Sequence, residues 1–177
     1  LTIATGALVS LTMYTRSKIQ AERTEAVSGF LSNNVLPALS PLRPQGGEVT
    51  ALSVLNAISA SIEGRFHDAP LVEATIRHEL GVDFMDHSEM VPAAQQLEIA
   101  VDIRRRMLGG DDPLTVASMS KLGNAYYSQG RHAEAQPLLL HVIAQQKQHP
   151  GVEKNSTLSA MRVLGWNYEA MEEYDQA

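Results

Sequence analysis

His78-Glu79 is the one stretch of this sequence that starts like a metal-hydrolase motif. Zinc chemistry of that kind needs a second histidine at the fifth position, so that two imidazoles share one helix face. The fifth position here is Val82, and His67, His87, His132, His141 and His149 fall at no ligand spacing. There is no cysteine, which removes disulfides and thiolate metal sites. No phosphate-cradling glycine loop, Gly-x-Ser-x-Gly elbow or kinase catalytic loop occurs. The carboxylates read as solvated helix faces rather than acid/base pairs. The sequence therefore predicts no catalytic residue, no metal and no cofactor. What remains for its polar and aromatic side chains is recognition.

The elements that position them are set by a recurrence. Leu80-Gly81 returns as Leu122-Gly123 and as Leu164-Gly165, a period of 42 residues. Three residues past each glycine stands Phe84, Tyr126 or Tyr168, and twelve past it Ala93, Ala135 or Ala177. A fixed period of this length signals a stacked repeat array. Each unit reads as two antiparallel helices. In the clearest one the first helix spans about 114–128, opened by Asp111-Asp112-Pro113, and the second about 131–148, closed by His149-Pro150-Gly151. Gly123 and Ala135 are expected to lack bulk where the two helices cross, with Leu122 and Tyr126 filling the space beside them. Leu139 and Val142 are expected to face the next unit. Arg104-Arg105-Arg106, the only dense basic run, reads as a helix end offsetting its partial negative charge. With a net charge of −6 the chain is not expected to contact nucleic acid.

Before the repeats, residues 1–15, LTIATGALVSLTMYT, carry no charge, and Arg16 and Lys18 follow at once. They are expected to be part of a single-pass transmembrane helix, since ~20 apolar residues span a bilayer and the run meets the first residue of the chain; the alternatives are the apolar part of a signal peptide, for which Tyr14-Thr15-Arg16-Ser17-Lys18 is a poor cleavage site, and a buried helix, for which the four threonines and one serine leave no clear stripe. The side of the membrane on which the repeats lie is not legible. Residues 16–48 read as a juxtamembrane helix and a loop punctuated by Pro41, Pro44 and Gly46-Gly47. Residues 49–177 form the helical repeat domain. Its first helix carries Leu52, Leu55, Ile58 and Ile62 on one face, and repeats follow near 70–110, 112–152 and 154–177. The chain begins without methionine and stops part-way through the third repeat, so it reads as a piece of something longer.

Leu122-Gly123-x-x-Tyr126, Gln129-Gly130-Arg131 and Ala133-Glu134-Ala135 resemble the tetratricopeptide repeat, in the longer kinesin-light-chain-like form. The resemblance is strongest over 109–147, with Ser88 and Glu172 replacing the turn glycine Gly130, and Pro137 set inside a second helix. It implies an all-α solenoid of antiparallel helix pairs whose concave face, lined by first helices, binds protein or peptide. Carried over position by position, it places His78, Ser120 and Arg162 in one row of that groove, Val82, Asn124 and Trp166 in a second, and Met85, Tyr127 and Glu169 in a third. Amide and guanidinium groups there would pair with a peptide backbone, and the aromatic rings would support an apolar side chain.

The order of membrane helix, loop and repeats is similar to bacterial membrane-anchored signalling proteins, in which the upstream half is a serine/threonine kinase or a winged-helix regulator. The expected function is a scaffold or sensor module. The alternatives are a regulatory arm of such a kinase or regulator, or an oligomerisation scaffold in which the groove holds a second copy.

Overall fold

The computed structural model describes residues 50–148 and 154–175, with side chains described over 50–145 and 158–170. Among these residues every regular element is an α-helix: α1 (Ala51–Ile62), α2 (Pro70–Asp86), α3 (Met90–Leu108), α4 (Pro113–Ser128), α5 (His132–Gln148) and α6 (Lys154–Asp175). The expectations for residues 1–49 (a membrane helix, a juxtamembrane helix and a Pro/Gly loop) lie outside the described residues. No helix among the described residues is long and apolar enough to cross a membrane.

Local chemistry sets the helix ends. Asp112 caps α4, its carboxylate accepting from Leu114 N at 2.9 Å, and Pro113 takes the first position, where no N–H is needed. The turn from α4 to α5 passes through Gly130 at φ +73°, a left-handed conformation that costs glycine nothing. The equivalent turn from α2 to α3 puts Ser88 in the same conformation, at φ +63°.

Helices α2 and α3 pack as one pair and α4 and α5 as the next. Each pair also contacts its successor, α3 against α4 and α5 against α6, and α4 reaches α6 directly. Leu97, Val101, Val116, Met119, Leu122, Tyr126, Leu139, Val142, Val163 and Leu164 belong to one continuous buried cluster. Within each pair the glycine of the first helix admits a leucine of the second. A β-carbon built at Gly123 would lie 2.8 Å from Leu139 Cδ2 and 3.7 Å from the Ala135 carbonyl oxygen. One built at Gly81 would lie 2.5 Å from Leu97 Cγ and 3.2 Å from the Ala93 carbonyl oxygen.

Two sequence expectations are corrected here. Leu139 sits over Gly123 of its own repeat rather than turning to the next. Arg104 does not share the exposed helix-end role of Arg105 and Arg106. It is buried, and its guanidinium donates to Leu114 O at 2.9 Å and to Ser118 Oγ at 2.6 Å, so it joins α3 to α4.

Candidate functional site

Each first helix sends one stripe into its own repeat and a neighbouring stripe along the row formed by α2, α4 and α6. The row begins at His78. Its ring is half-buried, with Nδ1 3.1 Å from Ser118 Oγ, the same hydroxyl that Arg104 holds. Burial first, then the Arg104 and Lys121 charges, lowers the His78 pKa to about 4, so the ring is neutral near neutral pH. His78 is thus part of the joint between the first two repeats. Val82 is half-buried, and Met85 packs against the core. Ser120, the counterpart of His78 one repeat later, is buried.

The middle and end of the row are more open. Asn124 Nδ2 donates to Ser159 Oγ across α4 and α6 at 3.1 Å, while its Oδ1 is buried and accepts no hydrogen bond. Tyr127 stacks on Trp166, ring centroids 6.2 Å apart and planes 28° from parallel, and meets the His132 ring edge-on at 5.4 Å. The Arg162 guanidinium stands 5.2 Å from the Trp166 centroid on the same helix. Trp166 remains 44% exposed, and Arg162 and Glu169 are exposed as well. The structure therefore brings Tyr127, Trp166 and Arg162 together as an aromatic-cationic shelf beside Asn124. It does not bring His78 or Ser120 to that shelf.

Two amide contacts hold α6 where the shelf needs it. Asn167 is fully buried; its Oδ1 accepts from His132 Nδ1 at 2.8 Å and its Nδ2 donates to the His132 carbonyl at 3.1 Å. Side chain and backbone of one α5 residue are thus read by a single α6 side chain. Sequence reasoning missed this pair, whose only signal was an asparagine on an otherwise apolar stripe of α6.

Tyr126 OH donates to Glu98 at 2.8 Å, and Arg131 lies 3.8 Å over the Tyr126 ring. Burial and the Glu98 hydrogen bond push the phenol up to about 12. Tyr126 and Glu98 border an open cleft of about 470 Å³ between α3, α4 and α5. Its acids are engaged: Glu98 and Glu134 with Arg131, Asp102 with Arg106. No group of three or more His, Asp or Glu side chains able to hold a metal occurs among the described residues.

Two stretches of the chain, 73–148 and 121–177, match the tetratricopeptide repeat family, and together they span more than half of its length. The chain belongs to the tetratricopeptide repeat family. No match was found among curated proteins. Tetratricopeptide repeats generally mediate protein–protein interaction, and their stacked helix pairs expose an extended face suited to it. In this tetratricopeptide array α2, α4 and α6 are the first helices of successive units, and α3 and α5 are the second helices of the first two.

Proposed function

We propose that the first-helix row of this array is a binding surface for a protein segment or peptide, and that the Tyr127–Trp166–Arg162 shelf is its main contact. The observation that carries the reading is the large exposed fraction of Trp166 while it is already fixed between Tyr127 and Arg162. An indole held in place loses little freedom when a ligand covers it, so more of the burial energy appears as affinity. An apolar or proline side chain of the ligand rests on the indole face. Arg162 offers hydrogen bonds to backbone carbonyls or a charge to an acidic neighbour.

Trp166→Ala combined with Arg162→Ala tests this, because both side chains are exposed and removing them leaves the buried joints in place. Peptides selected on the wild-type protein, for example from a displayed library, should lose most of their binding to the double variant while its helicity is unchanged. Equal binding by both proteins would refute the shelf.

The uncharged stretch 1–15 and the Arg16/Lys18 flank support a tether that holds the array at a membrane as the sensor or scaffold arm of a signalling protein. Carbonate-resistant membrane association of the chain, lost on deletion of 1–15, tests that part.

A further inference from the structure

Residues 42 apart are equivalent, so the joint between α1 and α3 can be compared with the joint between α3 and α5. Side chains close the first. Gln96 Nε2 on α3 donates to Ser59 Oγ on α1 at 2.8 Å, and Arg77 donates to Gln96 Oε1 at 2.8 Å. At the second joint Val101 stands for Ser59, Leu138 for Gln96 and Met119 for Arg77. These three apolar side chains cannot build the bridge, and the cleft of about 470 Å³ lies open there.

The floor of the cleft is apolar, made by Val101, Leu122, the Tyr126 ring, Pro137 and Leu138. Its charges do not cancel locally. At one end Glu98 and Glu134 share the single guanidinium of Arg131, which leaves a surplus negative charge. Pro137 has no N–H to give the Ala133 carbonyl, so that end also carries an acceptor its helix does not pair in the usual way. Asp102, in the middle, is matched by Arg106. At the other end Arg105 lines the cleft with no ion-pair partner among the described residues. The first joint has Glu63 at the place of Arg105. The cleft is therefore a dipole with an apolar centre. Its poles, Glu98 and Arg105, lie seven residues apart on α3, ~10.5 Å along the helix axis.

We infer that this cleft, on the side of the array built by the second helices, is a docking site for a partner helix of the pattern Glu-x-x-Leu-x-x-x-Lys lying antiparallel to α3. Its glutamate meets Arg105, its leucine enters the apolar floor, and its lysine meets Glu98, Glu134 and the Ala133 carbonyl. Positions i, i+3 and i+7 share one helix face, and a second helix spaces its charges with the same rise as α3. Acid before base also suits the dipole of the partner helix itself. Opposite charges at both poles fix the direction of docking, because a helix turned end for end sets like charges together.

The probe is a fluorescein-labelled, amidated 15-residue peptide of alanine and glutamine with Glu-Ala-Ala-Leu-Ala-Ala-Ala-Lys at its centre, followed by anisotropy. It should bind saturably and more weakly as salt rises. Replacing its leucine by alanine, or exchanging its glutamate and lysine, should weaken binding about tenfold or more. Arg105→Glu, at an exposed position, should weaken it about tenfold, and a peptide with lysine in place of the glutamate should then prefer that variant to wild type. Val101→Ser with Leu138→Gln installs the residues that bridge the first joint and should abolish binding with helicity retained. Absence of saturable binding to wild type would overturn the site. So would binding indifferent to Arg105→Glu, or equal binding of the charge-exchanged peptide. Trp166→Ala/Arg162→Ala, the variant that tests the shelf, should bind this peptide as wild type does; loss there would assign the peptide to the shelf and overturn the cleft, so the two readings can fail separately.

Discussion

A series of alanines at the three repeat glycines measures the helix crossing directly. Glycine to alanine inside a helix gains ~1 kcal/mol in propensity. At Gly123 that gain meets a clash, because the new methyl would stand 2.8 Å from Leu139 Cδ2 and 3.0 Å from its Cγ. Carbon atoms prefer ~3.5–4.0 Å, and relieving an overpacked core contact costs ~1–3 kcal/mol. The net is a loss of ~1 kcal/mol, since a terminal leucine methyl can give way by rotation. At Gly81 the nearest atom is the branch carbon Leu97 Cγ, at 2.5 Å, with the Ala93 carbonyl oxygen at 3.2 Å. Neither can swing aside, so the net loss there rises to ~2 kcal/mol. At Gly165 nothing opposes the gain, and the variant is ~1 kcal/mol more stable than the parent. Urea unfolding followed by circular dichroism should rank Gly165→Ala above wild type, then Gly123→Ala, then Gly81→Ala. Adding Leu139→Ala to Gly123→Ala should cost less than the sum of the two single changes by ~1 kcal/mol, because the methyl then occupies the space the leucine left. Three equal shifts, or strict additivity of that pair, would refute the notch-and-leucine account.

The joints between repeats yield further expectations. His78 has its pKa lowered to about 4 in the folded chain from an ordinary 6.5, so the unfolded chain binds its proton first. Its contribution to stability is complete above pH 6.5 and is lost as pH falls toward 4, by at most ~3 kcal/mol; His78→Gln should flatten the melting-temperature slope over that window relative to wild type. Asn167→Ala removes two buried hydrogen bonds and leaves the His132 groups unpaired, for ~1–3 kcal/mol; early loss of the Trp166 fluorescence transition in a denaturant titration would show α6 releasing first. Ser88→Gly relieves a left-handed serine and should stabilise by ~1 kcal/mol, read as a raised melting temperature, whereas Gly130→Ser should destabilise.

Much of this architecture could be read beforehand, because it repeats. Leu122, Gly123 and Tyr126 announced a helix crossing by recurring, and Asp112-Pro113 announced a cap by its local chemistry alone. The role of Leu139 was misread because periodicity says which residues are equivalent and not which neighbour each one faces; Leu and Val on a second helix fit either direction until backbone distance decides. Arg104 looked like its neighbours Arg105 and Arg106 since its acceptors, Leu114 O and Ser118 Oγ, lie on another helix and have no local signature. The shelf was partly legible. Tyr127 and Trp166 were both assigned to the groove, but their mutual stacking depends on how far one unit is rotated against the next, which spacing does not encode. The inward turn of His78 follows from Ser118, a residue that apolar patterning passes over.

The two joints differ in kind although the units around them share a period. His78 leans on Ser118, whereas the counterpart of Ser118 one unit later is Ala160, a methyl that can accept nothing. Asn167 reads His132, whereas the counterparts one unit earlier are Ala125 and Met90. An array reassembled with its units in another order would preserve every glycine notch and break every polar handshake. Shape is common property of the units, while their sequence along the spiral is individually keyed.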